Sequence, residues 1–194
     1  MYSLRIKLWL FLAISFLFGS FSPAPGQVCY DIKTYNIIIS GTSNLHDWDA
    51  QVMNLSGWVK FNGETITEVS ISIDAKSLKS SKGSIMDAKM QNALNTSRFP
   101  KITYVMVSSK SISEVNGLSR VSSTGNLTVS EVTKRITVVS NLKTLQDNSI
   151  EVTGGFDVLM TDFGIEPPSA LFGTLKTANK VMVNYKLILQ KRHS

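Results

Sequence analysis

The sequence predicts an all-β protein whose short antiparallel strands close into a barrel, and three observations lead to this prediction. Apolar and polar residues alternate through most of the chain, as they do in strands with one buried face. Turn signals such as Asn62-Gly63 and Asn116-Gly117 recur at short, regular spacing. A barrel is favoured over a sandwich because it leaves no open sheet edge. Glycines that permit the bends of closure lie inside predicted strands at Gly57, Gly125, Gly154 and Gly155.

About eight strands can be placed by this alternation, and an eight-stranded barrel has an interior just wide enough for packed side chains or one small ligand. The strand at residues 101–110 has apolar residues on both sides, among them Val105 and Val107, so we expect both of its faces to be covered. Residues 161–176 break the alternation and predict a long loop, which can contain a short helical turn. The eight strands lie near residues 30–40, 49–61, 69–73, 101–110, 121–129, 136–139, 150–158 and 181–189.

Residues 76–100 lack the alternating pattern of a β-strand and predict one short amphipathic helix. Ser84 can cap this helix, and Asp87 lies in its first turn, where a negative charge is favourable. Pro100 is expected to end the segment, because a proline forces the preceding residue out of helical geometry. One face carries Met86, Met90, Ala93 and Leu94, and the other carries Asp87, Lys89, Gln91 and Asn92. We expect the apolar face to help close the barrel over a lipid-like ligand.

The N-terminus has the pattern of a secretory signal peptide. Arg5 and Lys7 precede an uncharged run at residues 8–21, and cleavage after Gly26 is expected. The run is shorter than the ~20 apolar residues of a membrane span, so we expect that the protein is not an integral membrane protein. The alternative is that the N-terminal segment stays uncleaved and anchors the protein. The prediction is therefore a signal peptide at residues 1–26 and a barrel domain at residues 27–194, located in the periplasm or secreted.

Charge and cysteine content exclude several classes of partner. The chain has 20 Lys and Arg against 14 Asp and Glu, a net charge of +6, and these residues are scattered. Nucleic-acid binding is not indicated, because no run of like charges is present. Cys29 is the only cysteine, so it is either a free thiol or pairs between the two chains of a homodimer. Histidines and cysteines at metal-binding spacings are absent, and no metal or cofactor is expected.

The sequence contains few candidate catalytic residues. Gly-x-Ser-x-Gly, phosphate-loop and dinucleotide motifs are all absent. The candidate acid and base are His46 and Asp47, which lie in the cluster before Trp48. A single histidine without a partner base or nucleophile is more typical of a loop in which Asp47 accepts backbone hydrogen bonds and Trp48 packs inward. We therefore expect no enzyme.

Three blocks of sequence resemble the YceI-like proteins, a family of periplasmic polyisoprenoid-binding proteins. They are Gly41-Thr42-Ser43-Asn44-Leu45-His46-Asp47-Trp48, the passage Arg98-Phe99-Pro100-Lys101-Ile102-Thr103-Tyr104, and a closing block over residues 156–189. The resemblance implies a lipocalin-like, eight-stranded antiparallel barrel with a helical insertion, here in a compact version. It also implies an isoprenoid-type ligand, such as a prenyl quinone or a polyprenyl lipid, and no catalysis.

Three functions are compared on this basis. The first is an exported protein that sequesters or carries an isoprenoid or similar long apolar lipid, and the second is a stress- or envelope-associated interaction protein with a filled core and no ligand. The third is a lipid hydrolase or isomerase that uses His46 and Asp47. For the first function the predicted barrel-lining residues are Phe61, Ile71, Met86, Met90, Tyr104, Met106, Phe156, Phe163 and Tyr185.

Overall fold

The computed structural model describes residues 26–170 and 174–192, which are mostly strand. The predicted signal peptide lies outside the described residues, except for Gly26. Within the described ranges, no helix has the length and apolar character needed to cross a membrane. One α-helix, α1, spans Ser84–Ala93, and 3-10 helices span Ala75–Ser77 and Met160–Phe163. The strands are β1 (Val28–Ser43), β2 (Trp48–Val52), β3 (Leu55–Asn62), β4 (Thr65–Asp74), β5 (Leu78–Lys79), β6 (Lys101–Val115), β7 (Leu118–Val129), β8 (Val132–Thr144), β9 (Ile150–Leu159), β10 (Ser169–Ala170) and β11 (Leu175–Lys191).

Eight of these strands form a closed antiparallel ring in the order β1, β3, β4, β6, β7, β8, β9 and β11. The ring closes where β11 returns to β1, with partners running from Tyr30 and Lys191 at one end to Ser43 and Thr177 at the other. The predicted all-β, eight-stranded, lipocalin-like barrel is therefore confirmed. The short strands β2, β5 and β10 extend the sheet outside this ring.

The first strand changes partner halfway along its length. Its start pairs with β3, and residues near its end pair with β2. The sequence predicted one strand over residues 49–61, but the chain breaks between β2 and β3 at Met53 and Asn54. Tyr35 spans this break, because its hydroxyl donates to the Met53 carbonyl at 3.0 Å and accepts from the Leu55 N–H at 3.2 Å.

The predicted turns lie where the dipeptides indicated them. Asn116 and Gly117 have φ angles of 52° and 74° and join β6 to β7. Two consecutive positive φ angles are the signature of the type I′ turn, whose twist matches that of the flanking strands. Gly63, with a φ of 58°, serves the turn between β3 and β4.

The barrel interior contains two clusters of buried side chains. The larger cluster extends from Ile37 and Leu78 near α1 to the opposite end of the barrel. Its residues Val59, Phe61, Leu142, Leu187 and Leu189 are called the lower cluster, and Leu189 has no exposed surface. The upper cluster consists of Leu127, Met160, Phe163, Ile165 and Val181, and lies at the end of the barrel nearest α1. Alternate residues of β11 face inward, as the sequence predicted, while Met182 between them is exposed.

The prediction that both faces of β6 are covered is wrong. Val105 and Val107 point outward and are 50% and 52% exposed. The helix that could have covered them lies elsewhere, because α1 contacts β5 and the end of the barrel. The outer face of β6 therefore meets solvent.

The limits of α1 also differ from the prediction. Gly83 is the cap residue, Ser84 is the first helical residue, and no side chain caps the N-terminus. The helix ends at Ala93, well before Pro100. Its end is set by Asn95, whose φ of 48° is left-handed and is typical of the residue that follows a helix.

Candidate functional site

A cavity of about 280 Å³ lies in the upper half of the barrel. Its walls come from alternate, inward-facing positions of six strands of the ring, and β3 and β8 contribute none. β1 supplies Ile37 and Ile39, and β11 supplies Val181 and Val183. Most of the other wall side chains are also apolar: Trp48, Ile73, Leu78, Ile102, Leu127, Val129, Phe156 and Val158. The space therefore favours a hydrocarbon over water, since it offers few hydrogen-bonding partners.

Helix α1 forms the roof of this cavity. The four apolar residues that the sequence placed on one helical face, Met86, Met90, Ala93 and Leu94, all line it. Methionine side chains adapt to ligands of varied shape, because they are unbranched and polarizable. A roof of this kind can adjust to an elongated guest.

The roof is anchored at both of its ends. Near the start of α1, Asp87 is buried and accepts hydrogen bonds from the Ser80 N–H at 2.7 Å and from Lys79 Nζ at 2.9 Å. These two bonds, the Ser80 bond first, hold the pKa of Asp87 below its ordinary value of 3.8. At the other end, the Ser130 hydroxyl donates to the Leu94 carbonyl at 2.8 Å. The sequence had placed Asp87 on the solvent face, which is wrong because the β5–α1 loop folds back over it.

The segment after β9 closes the side of the cavity. The 3-10 helix Met160–Phe163 directs Met160 and Phe163 inward, and both are buried. Asn179 on β11 fixes this helix, because its side chain accepts from the Thr161 N–H at 3.0 Å and donates to Thr161 Oγ1 at 2.8 Å. The segment that the sequence predicted as a long loop able to contain a short helical turn does contain one, and it supplies part of the upper cluster.

The mouth of the cavity is polar and its charged residues are cationic. Lys89 and Lys176 are the charged residues that line the described cavity, and no described Asp or Glu joins them. Both lysines are exposed. Ser43, His46, Ser169 and Thr177 complete the polar lining. A polar group at the mouth would therefore meet hydrogen-bond donors and positive charge.

The turn that carries His46 is held in place by its neighbours. Ser43 Oγ accepts from the His46 N–H at 3.2 Å, which closes the turn. Asn44 joins the turn to the start of β11, because its N–H donates to the Lys176 carbonyl at 3.1 Å and its Oδ1 accepts from the Lys176 N–H at 2.9 Å. His46 and Lys176 therefore lie on two connected segments of the same rim.

Trp48 follows this turn and packs against Gly41 on β1. A methyl group added at Gly41 would lie 2.5 Å from the Trp48 ring, so only glycine allows this approach. The Trp48 Nε1 atom is buried and has no hydrogen-bond partner among the described residues. Trp48 packs inward as the sequence predicted.

The structure gives little support to acid–base chemistry at this site. His46 lines the mouth, whereas Asp47 is exposed and is not part of the cavity lining. Among the residues with described positions, no group of three His, Cys, Asp or Glu side chains could hold a metal ion. The cavity lining therefore does not bring His46 and Asp47 together.

The nine predicted lining residues fall into three groups. Met86, Met90, Phe156 and Phe163 line the cavity. Phe61, Ile71 and Met106 belong to the lower cluster or pack against it. Tyr104 and Tyr185 do not line the cavity, and each stands at the next inward position after a lining residue, Ile102 or Val183. Contact of any of the nine with a ligand stays a prediction.

Sequence reasoning missed several lining residues, above all Ile37, Ile39, Leu127, Val181 and Val183. All five stand at alternating positions, so their inward direction could be read from the sequence. Their height along the barrel could not, because alternation assigns a face but does not say which end of a strand meets the helix.

Comparisons with known proteins agree with this architecture. The family described as YceI-like domain matches residues 31–189. The fold resembles a polyisoprenoid binding domain from Saccharophagus degradans implicated in plant cell wall breakdown, at 16% identity and a TM-score of 0.65, covering 85% of this chain and 99% of that one. It also resembles Burkholderia cenocepacia BcnA, at 14% identity and a TM-score of 0.64, covering 79% of this chain and 95% of that one. A third similar structure is the Campylobacter jejuni YCEI protein, at 15% identity and a TM-score of 0.58, covering 75% of this chain and 85% of that one.

No curated protein matches the sequence. At identities this low, the likeness to the solved structures concerns the fold. The match to the family spans most of the barrel, from the first strand to the last. The chain therefore belongs to the YceI-like domain family.

Proposed function

We propose that this protein binds an isoprenoid-type lipid, or a similar long apolar lipid, in the upper half of its barrel. The observation that carries the proposal is the apolar cavity of about 280 Å³ beneath α1. Burial of each methylene group contributes about 0.8 kcal/mol, so an apolar tail needs few polar contacts to be held. The polyisoprenoid binding domain that shares this fold is consistent with the proposal.

The guest enters with its tail first and keeps its polar end at the mouth. The walls are apolar, whereas Lys89, Lys176 and His46 stand at the rim. A head group with acceptor oxygens gains hydrogen bonds there and avoids the desolvation that it would suffer inside. Prenyl quinones and polyprenyl lipids both have this division between a polar end and a long tail.

The protein acts outside the cytoplasm in this proposal. Residues 1–26 serve as the signal peptide, and the barrel domain at residues 27–194 is released in the periplasm or secreted. A soluble barrel with an apolar interior is suited to shield a lipid from water between membranes. No catalytic step is assigned to it.

The test is whether the protein purified from its own host contains a lipid. Native mass spectrometry and solvent extraction should reveal one, and an added prenyl quinone should raise the melting temperature of delipidated protein. Protein that carries no lipid and gains no stability from prenyl quinones would overturn the proposal.

Two variants of α1 provide a matched pair for this test. Ala93→Phe places a ring into the cavity, and Ala88→Phe places the same ring on the exposed face of the same helix. We expect Ala93→Phe to abolish the stabilisation by a prenyl quinone and Ala88→Phe to retain it. Equal stabilisation of both variants would locate the lipid outside this cavity.

A second candidate function is that of an envelope-associated interaction protein without a ligand. One observation favours it: the β6–β7 hairpin exposes large apolar residues near its tip. Ile112, Val115 and Leu118 are 50%, 63% and 45% exposed. An envelope protein that co-purifies through this hairpin, from protein free of lipid, would support this candidate.

A further inference from the structure

The cavity ends abruptly at one level of the barrel. On β11, Val181 and Val183 line it, and the next inward-facing residue is Tyr185. The two inward positions beyond Tyr185, Leu187 and Leu189, already belong to the filled lower cluster. The hollow and filled halves of the barrel therefore meet at Tyr185.

The same order is found on β6, on the other side of the lumen. Ile102 lines the cavity, Tyr104 follows at the next inward position, and Met106 packs against the lower cluster. The two phenol rings thus form a layer between the two halves.

Glycines on the neighbouring strands make room for these rings. Gly154 pairs directly with Tyr185, and Gly125 pairs with Met106 beside Tyr104. A methyl group added at Gly125 would lie 2.5 Å from Tyr104 Cζ, and one added at Gly154 would collide with the Tyr185 hydroxyl. The rings occupy the volume that side chains at these glycines would otherwise fill.

Hydrogen bonds fix the outer edge of each ring. Tyr185 Oη lies 2.7 Å from Ser140 Oγ on β8, and the Tyr104 hydroxyl donates to Ser123 Oγ on β7 at 3.3 Å. Burial raises the pKa of both phenols above 10.0, so both hydroxyls are neutral at physiological pH. Each tyrosine is held at its face by a glycine and at its hydroxyl by a serine.

We propose that Tyr104 and Tyr185, each one inward position below a residue that lines the cavity, close the lumen beneath it as a floor and limit the length of apolar chain that the protein accepts. This inference rests on the lipid-binding function proposed above. The cavity of about 280 Å³ is slightly smaller than the range of ~300–1,000 Å³ for small-molecule sites. A long chain must therefore leave part of its tail outside the mouth or displace the tyrosines.

The test uses a series of prenyl alcohols of increasing length, namely geraniol, farnesol, geranylgeraniol and solanesol. For the wild-type protein we expect affinity to rise by about tenfold or more for each isoprene unit that is buried, and then to stop rising. Tyr185→Ala should move this plateau to a longer alcohol. Tyr185→Phe, the matched control, should leave it in place, because the ring and not the hydroxyl blocks the lumen.

Val183→Phe tests the inference in the opposite direction, since a ring one level higher should move the plateau to a shorter alcohol. Val183→Phe alone decides the matter if circular dichroism shows that Tyr185→Ala does not fold. A wild-type protein that binds no prenyl alcohol contradicts the proposed function. If the wild type and the folded variants reach the plateau at the same alcohol, the tyrosines do not limit the chain length. The proposed lipid binding is then unaffected.

Discussion

Asp87 Oδ1 accepts a hydrogen bond of 2.7 Å from the backbone N–H of Ser80, and this contact fastens the roof of the cavity to the loop that precedes it. The carboxylate is buried although it belongs to a short surface helix. Lys79 provides the second bond from its exposed side chain. The start of α1 is therefore fastened through one acidic residue.

Asp87→Ala should loosen the roof and weaken lipid binding. Removal of the carboxylate leaves the Ser80 N–H without its partner and frees the start of α1. We expect a loss of about tenfold in affinity for a prenyl quinone, the scale of a lost hydrogen bond to a charged group. The measurement is a titration followed by the melting temperature or by displacement of a fluorescent probe.

Lys79→Met is the control for this prediction, because it removes the solvent-exposed partner and keeps the Ser80 bond. Water screens the attraction between the exposed Lys79 ammonium and Asp87, so the affinity should stay within about twofold of the wild type. Equal losses in the two variants would show that the ion pair, and not the bond to Ser80, positions the roof.

Acid should release the roof through the same residue. The folded protein holds the pKa of Asp87 below the ordinary value of 3.8, so the folded state favours the ionised carboxylate. The stabilisation that results is fully present above 3.8 and is lost as the pH falls through the lowered pKa. The melting temperature of the wild type should exceed that of Asp87→Asn by a constant amount from neutral pH down to 3.8, and the difference should shrink below that pH.

The comparison with Asp87→Asn isolates this residue from other carboxylates. Asp31 and Asp147 also have lowered pKa values, through hydrogen bonds from Arg192 and Ser149 respectively, and they titrate equally in both proteins. A difference in melting temperature that stays constant through the acid range would contradict the role given to Asp87.

The sequence was sufficient for the barrel but not for the site, and particular residues show why. Alternation along β11 correctly placed Leu187 and Leu189 inside, because facing depends only on odd or even position. Alternation could not show that Val183 lines the cavity whereas Leu187 belongs to the filled core. That difference depends on where the strands end and on where the helix lies. Asp87 was misplaced for a similar reason, because a helical pattern takes no account of a loop that folds back.

Leu189 tests the claim that the lower half of the barrel is a filled core. Its side chain has no exposed surface, so Leu189→Ala should destabilise the protein by about 2–5 kcal/mol in denaturant unfolding. The same substitution at Leu159, which is 42% exposed, should cost less than about 1 kcal/mol. Leu189 lies below the tyrosines, so folded Leu189→Ala should retain its affinity for a prenyl quinone. A similar cost at both positions would contradict the packing described for the lower cluster.

Substitutions of Lys89 and Lys176 test whether the positive charge at the mouth contributes to binding of a charged head group. Both line the cavity at its exposed edge, and no described carboxylate lines it with them. The double variant Lys89→Glu, Lys176→Glu should lose about tenfold or more in affinity for farnesyl phosphate at low salt, because two attractive charges become repulsive. Its affinity for farnesol should change by less than about twofold, and added salt should reduce the effect on the phosphate.

The double variant Lys110→Glu, Lys143→Glu, with exposed changes on β6 and β8 outside the cavity lining, controls for the altered net charge in this experiment. It should leave the affinities for farnesyl phosphate and for farnesol nearly equal to those of the wild type. Calorimetric titration of the three proteins with both lipids gives the comparison. Equal losses for the alcohol and the phosphate in the Lys89→Glu, Lys176→Glu variant would mean that the lysines hold the mouth in shape by their stems, and that their charge does not select the head group.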